Sequence, residues 1–439
     1  MRPVFKEFID FLNYHKYSDY KEAIDLKEGK FWINRGIIKG IAKDGSLIKL
    51  ARLKPFYDGE TVKVDFSFYK YTKKELELIK SLETWDETIN REKDRINMLE
   101  KESLNIIKEY TNLNNNRLNA TLTSFGKDSA VTLHLGRKLF PDMLAIFGNT
   151  SLDCADTYKH AKATHNVLTI NPKEGFYQWR ERYQYIPTRF NRACCDIFKE
   201  GSMIEHLDES DKYNNREILF LMGMRNEESS GRSGYGDEWR NNKWGDRKWD
   251  ALLPIRKWTE FDVWLYILKE GVDFNEKYRK GYMRVGCAIA CPYSNMSTWM
   301  LDQYWYKNMY DRWHNILEKD FINNQKWGRL NCTLEEYHSV WNGGKIRKEP
   351  TEAVVIELMK HKGLDDIEVA KSYFNNTCCE IDCNKNVVDS DLVAMNMKFL
   401  GRNTQNMYCK KHFRIRLDMS VKEYNQHVED FKIDECNLF

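Results

Sequence analysis

Two sets of residues in this 439-residue chain have the types and spacing to do chemistry: a short loop rich in hydroxyls and charge, and a series of clustered cysteines. The loop is Ser124-Phe125-Gly126-Lys127-Asp128-Ser129. The apolar run ATLTSF (120–125) leads straight into it, and AVTLHLGRKLF follows with helical periodicity. Strand, tight turn and helix together aim backbone N–H groups and the positive end of a helix at an anion. Gly126 lets the backbone approach closely. Lys127 adds a point charge, and Ser124 and Ser129 add hydroxyl donors. This is not a Walker A loop, because the four-residue gap and the Gly-Lys-Ser/Thr ending are absent. As bare residues it is either a phosphate cradle or an ordinary strand–turn–helix corner.

The eleven cysteines are at 154, 194, 195, 287, 291, 332, 378, 379, 383, 409 and 436. The first nineteen residues lack a signal-peptide pattern, and no run of 18 apolar residues exists, so the expected setting is a reducing cytoplasm with no membrane partner. Clustered thiols there are metal ligands or redox groups more often than disulfides. Cys379-x-x-x-Cys383 is followed by Cys409-Lys-Lys-His412, a Cys pair and a Cys-x-x-His pair that suit a tetrahedral Zn²⁺ site. Cys378 is an alternative to Cys379. With four ligands the site is closed, hence structural, and would support a small module with little core of its own. Lys410, Lys411, Arg414 and Arg416 form a basic stretch that reads as a solvated face. Cys194, Cys195, Cys287 and Cys291 form a second set, open to a metal cluster, a four-thiolate zinc site or free thiols.

These residues need elements to hold them. Lys and Arg number 69 against 66 Asp and Glu, a net +3, which argues against a purely electrostatic nucleic-acid binder. A hydrophobic fraction of 42% with 31% charged residues marks a folded chain of several domains. Residues 1–70 look β-rich, with two strand-like runs about Asp44-Gly45 and alternation in VKVDFSFY (62–69). Residues 71–115 read as one long amphipathic helix carrying Leu82, Trp85, Ile89, Ile96 and Leu99, packed on its own domain. From Ala120, the runs ATLTSF, MLAIFGN (143–149), NVLTIN (166–171) and EILFLMG (217–223) alternate with helical patterns. That is the signature of an α/β fold with a doubly wound parallel sheet, whose ligands bind at the carboxyl ends of strands. The expected division is therefore 1–70, 71–115, an α/β domain at 116–345, and a helical, zinc-binding module at 346–439.

The loop resembles the SGGKDS-type PP-loop of the ATP-pyrophosphatase superfamily, and SFGKDSAVTLHL looks most like its branch of phosphoadenosine phosphosulfate (PAPS) reductases. Three later segments are similar too. FGNTSLDCADTY (147–158) places Asn149, Thr150 and Asp153 where the family has an acidic Asp-Thr-Gly stretch, Asn149 being a departure. Gly223 to Arg232 resembles the family's G-x-R-x-x-E-S-x-x-R segment, whose arginines hold phosphate and sulfate with their planar forks. LLPIRKWTEFDVWLYI (252–267) resembles its Pro-x-x-x-Trp segment. The resemblance covers about residues 118 to 300. It implies an adenine nucleotide alpha hydrolase-like fold, with nucleotide contacts from Ser124, Phe125, Gly126, Lys127, Asp128, Ser129, Asn149, Arg225 and Arg232.

The same resemblance implies a [4Fe–4S] cluster on Cys194, Cys195, Cys287 and Cys291. A vicinal pair followed about ninety residues later by a second pair is the pattern of the iron–sulfur branch, although the second pair here has one extra residue between its cysteines. The tail Glu435-Cys436-Asn437-Leu438-Phe439 matches in part the ECGLH-like tail that carries the catalytic cysteine of thioredoxin-dependent members. Its changed last residues favour an apolar docking tail.

The implied activity is that of a PAPS reductase-like enzyme using PAPS, APS or ATP, served by a thiol reductant or a sulfur-donor protein. Two alternatives stand beside it. One is an ATP-dependent iron–sulfur enzyme that inserts sulfur into nucleic acid, as in DNA phosphorothioation. The other is a nucleotide-binding regulator without catalysis.

Overall fold

Hydrophobic alternation in the middle of the chain builds a six-stranded sheet with helices on both faces. The computed structural model describes residues 1–14, 26–57, 62–112, 117–183, 186–187, 194–288, 291, 296–326, 378, 383, 390–400 and 407–433. The chain divides into two units. The first comprises Met1–Lys173, Cys194–Ile289 and Ser294–Tyr310; the second comprises Glu174–Ala193, Ala290–Tyr293 and Asp311–Phe439. No described helix is long and apolar enough to cross a membrane.

The first unit opens with an antiparallel sheet of β1 (Arg2–Pro3), β2 (Phe31–Asn34), β3 (Ile37–Ile41), β4 (Leu47–Tyr57) and β5 (Val62–Phe68), paired in that order, with α1 (Lys6–Tyr14) between β1 and β2. The sequence suggested two strands around Asp44-Gly45; there are three in this stretch. The missed turn is Arg35-Gly36, where φ is 49° and 71°. Two consecutive left-handed residues match the right-handed twist of a two-residue hairpin.

The helical run after Thr72 is two helices rather than one: α2 (Lys73–Lys80) and α3 (Trp85–Asn112). The break lies at a cap. Thr84 Oγ1 accepts the N–H of Glu87 at 3.1 Å while Glu87 accepts the N–H of Thr84 at 2.8 Å, a reciprocal box that starts a new helix. Leu82, between them, folds onto β3, where a side chain at Gly40 would collide with it at 2.5 Å. α3 packs within the first unit. Its Ser103 donates to the Pro254 carbonyl at 2.8 Å and accepts from Trp258 Nε1 at 3.1 Å.

The α/β part follows as β6 (Leu118–Thr123), α4 (Lys127–Leu139), β7 (Leu144–Gly148), α5 (Ala155–Ala163), β8 (Val167–Ile170), then α6 (Phe176–Tyr183), which belongs to the second unit, and, again in the first, α7 (Ser202–Glu209), β9 (Ile218–Met222), α8 (Ser230–Ser233), β10 (Glu238–Trp239), β11 (Trp249–Leu252), α9 (Glu260–Glu270) and α10 (Met296–Trp305). The strand order is β10-β11-β9-β6-β7-β8, parallel except for β10. All four expected strands are present, and β10 and β11 are additions. Period-2 alternation divides β9 between two cores. Leu219 and Leu221 join Val131, Leu135 and Trp264 on one face. Ile218 and Phe220 join Leu207, Trp244 and Trp249 on the other.

The remaining helices are α11 (Lys307–Lys326), α12 (Ser390–Leu400), α13 (Lys410–Arg416) and α14 (Val421–Ile433). The last three share a core of Met395, Tyr408, Phe413, Tyr424 and neighbours in the second unit.

Candidate functional site

Chain order places the loop at the sheet's switch point. After β6 the chain moves to β7 on one side and later returns to β9 on the other. The register pairs Leu122 with Met222 and Thr123 with Phe147. The loops beginning at Ser124, Gly223 and Asn149 therefore leave the sheet along one edge, at the carboxyl ends where open α/β sheets take ligands.

A chain of hydroxyls closes the first loop. The N–H of Phe125 donates to Thr123 Oγ1 at 2.9 Å, Thr123 donates to Ser129 Oγ at 3.2 Å, and Ser129 donates to the Gly126 carbonyl at 3.0 Å. Ser129 thus shapes the turn from within. Phe125 has φ 55°, the left-handed region that costs an L-residue about 1–2 kcal/mol. Its ring offsets that cost by burial, edge-on to Phe147 and His160 at 5.1 and 5.2 Å. Gly126 is extended and precedes α4. The first-turn amides of α4 have no intrahelical partner. That of Lys127 donates to the hydroxyl of Tyr278 at 2.9 Å. Burial pushes the Tyr278 phenol above its ordinary pKa.

The loop's charges form a buried network. Lys127 Nζ lies 2.9 Å from Asp128 Oδ2 and 3.6 Å from Glu260 Oε1. Arg225 Nε lies 2.6 Å from Asp128 Oδ1, and its Nη1 lies 2.7 Å from Glu227 Oε2. Burial by itself would lower the pKa of Lys127, but Asp128, Tyr278 and Glu260 outweigh it and raise the ammonium. Burial would likewise raise Asp128, but the Lys127 and Arg225 charges hold it below the usual carboxylate range. Arg225 is raised against its own burial, chiefly by Asp128, Glu228 and Glu227. Arg232, half-exposed on α8, pairs with Glu228, which also accepts the N–H of Arg225 at 3.0 Å.

The neighbouring loops are set against this frame. A side chain at Gly223 would lie 2.6 Å from the carbonyl carbon of Asp128, so only glycine lets β9 end so close to α4. Asn149 Oδ1 accepts from the Ser151 N–H and the Tyr158 hydroxyl, both at 2.8 Å, while its Nδ2 donates to Asn171 Oδ1 at 2.8 Å. The side chain of Asn149 therefore holds the loop after β7. Thr123, Tyr278 and Glu260 were not among the residues expected from sequence. Glu260 stands in the quoted Trp-Thr-Glu-Phe-Asp stretch and was findable as an acid in the first turn of α9. Tyr278, 151 residues from Lys127, has no local signal.

The cysteines separate. Cys194, Cys195 and Cys287 belong to the first unit and Cys291 to the second. None of the four is in a disulfide. Cys195 opens a π-helical turn, Cys195–Gly201, a local form often found at functional sites. The thiol of Cys287 donates to Thr150 Oγ1 at 3.4 Å, in the loop after β7. Among the described residues, one group of three or more metal-ligating side chains is compact, and it is Cys378, Cys383, Cys409 and His412. Cys379 lies outside the described residues, as does Cys436. Burial would raise the Cys409 thiol, but N–H donors at the start of α13 and the neighbouring thiols prevail and lower it.

Residues 119–292 match the family model described as the phosphoadenosine phosphosulfate reductase domain. A PAPS reductase of Xanthomonas campestris is 28% identical over 181 residues, 38% of this chain and 68% of the relative. This chain carries a PAPS reductase domain.

The PAPS reductase domain accounts for 174 of the 439 residues, counting from 119 to 292, so most of the chain lies outside it. An uncharacterized protein of Methanocaldococcus jannaschii is 32% identical over 269 residues, covering 60% of this chain and 61% of the relative. A second from the same organism is 31% identical over 200 residues, and this chain spans 40% of its length. Among solved structures, PAPS reductase from Candida auris superimposes with a TM-score of 0.34 at 17% identity, covering 44% of this chain and 94% of that one. The U34-tRNA thiolase of Methanococcus maripaludis with its [4Fe-4S] cluster gives 0.31 at 15% identity, covering 51% and 75%.

Proposed function

We propose that the PAPS reductase domain binds an adenine nucleotide (PAPS, APS or ATP) at Ser124–Ser129 and uses it in sulfur chemistry as an enzyme, sulfonucleotide reduction being the leading reaction. The observation that carries this is the fastening of the loop to Gly223–Arg225 across the switch point through the Arg225–Asp128 pair. A nucleotide phosphate would meet the Ser124 hydroxyl and the first-turn amides of Asp128 and Ser129, with Arg232 at the rim. Lys127 and Arg225 add charge from behind while holding Asp128. Phe125 and Asn149 shape the loops on either side.

In the reductase reaction a thiolate attacks the sulfuryl sulfur, forming an S–S bond. The S–O bond to the nucleotide breaks, and the nucleotide leaves with that electron pair. A thiol reductant then attacks the enzyme's thiosulfonate, releasing sulfite and leaving a disulfide. The tail that carries Cys436 reads first as an apolar docking segment, and sulfite release by Cys436→Ser protein tests whether its thiol acts instead as that thiolate.

Cys194, Cys195, Cys287 and Cys291 are proposed as [4Fe–4S] ligands. The donor set fits in kind and number, since four thiols outside disulfides are what a cube requires. Cys194, Cys195 and Cys287 do not form the compact group that a single ion would need. Such a cluster would supply iron able to pass electrons or bind sulfur.

A second reading rests on the Gly126-Lys127-Asp128-Ser129 ending, typical of members that use ATP. There the enzyme would adenylate a target and insert sulfur into nucleic acid. The assays separate the readings. Sulfite released from PAPS and a thiol reductant supports the reductase. Pyrophosphate formed from ATP only with a nucleic-acid acceptor supports sulfur insertion. Nucleotide binding with neither product would leave a regulator. Anaerobic protein with a broad absorption near roughly 400 nm and about four irons per chain would support the cluster; colourless, iron-free protein would reject it.

A further inference from the structure

The second unit gathers the ligand atoms of Cys378, Cys383, Cys409 and His412 within 4.8 Å of one another. The separations carry more than the grouping. Cys383 Sγ is 3.8 Å from Cys409 Sγ. His412 Nδ1 is 3.5 Å from Cys409 Sγ and 3.3 Å from Cys378 Sγ. Tetrahedral zinc with bonds of about 2.3 Å to sulfur and about 2.05 Å to nitrogen requires S···S near ~3.8 Å and S···N near ~3.6 Å. A disulfide would need about 2.05 Å. The thiols therefore stand at the distance at which one ion bridges them.

We propose that Cys378, Cys383, Cys409 and Nδ1 of His412 hold one structural Zn²⁺, and that Cys378, not Cys379, is the fourth ligand. Local structure prepares two of the four. Cys409 caps α13 and His412 is its third residue, so the i,i+3 spacing puts both on one face of the first turn. The segment entering that turn is pinned by Asn396 of α12. This fully buried side chain accepts the Tyr408 N–H at 2.7 Å and donates to the Tyr408 carbonyl at 3.0 Å. Phe413, the next residue, is buried against Phe399 and Tyr424. Cys378 and Cys383 arrive from a separate stretch, and the ion would tie that stretch to α12 and α13.

The donor chemistry selects the metal. Three thiolates and an imidazole suit zinc and are poor ligands for magnesium, calcium or manganese, which prefer oxygen. Cys378 and Cys409 are only 6% and 4% exposed, so the four protein ligands leave no open position for substrate. Three thiolates on Zn²⁺ leave one negative charge on the site.

The test is metal analysis of the full chain expressed with zinc. Wild-type and Cys379→Ser protein should each carry about one zinc, whereas Cys378→Ser should fall below about a tenth. Cobalt substitution gives an independent readout on wild-type protein, where thiolate-to-cobalt absorption and intense tetrahedral bands are expected. His412→Cys keeps four ligands, so it should retain the ion with stronger thiolate absorption, which covers the case in which Cys378→Ser fails to fold. Zinc lost in Cys379→Ser and retained in Cys378→Ser would overturn the ligand assignment. Wild-type protein without bound zinc, or cobalt spectra without thiolate bands, would overturn the site. None of these readouts depends on nucleotide binding.

Discussion

Arg225 Nε lies 2.6 Å from Oδ1 of Asp128, and Lys127 Nζ lies 2.9 Å from Oδ2 of the same carboxylate. One aspartate thus engages two of the three cations that the sequence assigns to anion binding, the third, Arg232, pairing with Glu228. It fixes the end of β9 to the first turn of α4, and it keeps two buried positive charges tolerable without a ligand. Asp128→Asn would leave those charges against a neutral amide. Removing one partner from such a pair costs about 3 kcal/mol or more. Urea unfolding followed by tryptophan fluorescence should show that loss; an unchanged midpoint at unchanged slope would contradict the pairing.

Phe125 supplies a second test, because its backbone and its ring pull in opposite directions. The backbone sits at φ 55°, where glycine is favoured, while the ring is buried between Phe147 and His160. Removing the ring costs about 3 kcal/mol. Glycine recovers about 1 kcal/mol of backbone strain, and alanine recovers none. The expected order of stability is therefore phenylalanine, then Phe125→Gly, then Phe125→Ala. Alanine more stable than glycine would show that the left-handed backbone is not strained.

These two positions also show how far the sequence was legible. The strand–turn–helix around Gly126 and the four parallel strands could be read because they rest on local periodicity and on the glycine's freedom. The roles within the loop could not. A motif names Lys127 and Arg225 as cations, but only the fold shows both turned toward Asp128. Tyr278 takes the Lys127 amide from across the chain, and such a contact leaves no mark on the residues beside it. Cys378 and Cys379 are indistinguishable by spacing, and the choice between them is made by where one thiol points. The break between α2 and α3 was legible in principle, since Thr84 and Glu87 form a capping box, but the continuous apolar period through Leu82 and Trp85 hid it.

Acid should weaken the helical layer through Glu270. This carboxylate lies 2.7 Å from Lys138 of α4, which also pairs with Glu100 of α3. Burial would raise Glu270, but the bonds from Lys138 and Lys269 prevail and bring it from 4.5 to about 2. A carboxylate depressed by folding contributes stability that is fully present above its unfolded pKa and is lost as pH falls through the folded one. The loss should run from about pH 4.5 down to about pH 2, with no contribution to change between pH 5 and 8. Glu270→Gln should flatten the fall in melting temperature across that acid window. A variant as acid-sensitive as wild type would assign the slope to other carboxylates, Asp128 and Glu260 being the next candidates.

Gly223 offers the sharpest test of the loop's geometry. An alanine methyl there would lie 2.6 Å from the carbonyl carbon and 2.7 Å from the carbonyl oxygen of Asp128, and 2.8 Å from the nitrogen of Ser129. All three are backbone atoms, so no rotamer change relieves the overlap, and α4 must move away from β9. At Gly148 the corresponding methyl would come closest to the Lys199 carbonyl oxygen, at 3.1 Å, with the next atoms at 3.9 and 4.0 Å, which a small shift can accommodate. Overpacking of the first kind costs roughly 1–3 kcal/mol. Gly223→Ala should lower stability by about 2 kcal/mol and weaken adenine-nucleotide binding at least tenfold by calorimetry, because it displaces the amides that face the phosphate. Gly148→Ala should change binding less than about threefold, within the tolerance of a shift of a few tenths of an ångström. If both variants bind nucleotide like wild type, the phosphate does not sit on the first turn of α4, and the nucleotide site must be sought at another edge of the sheet.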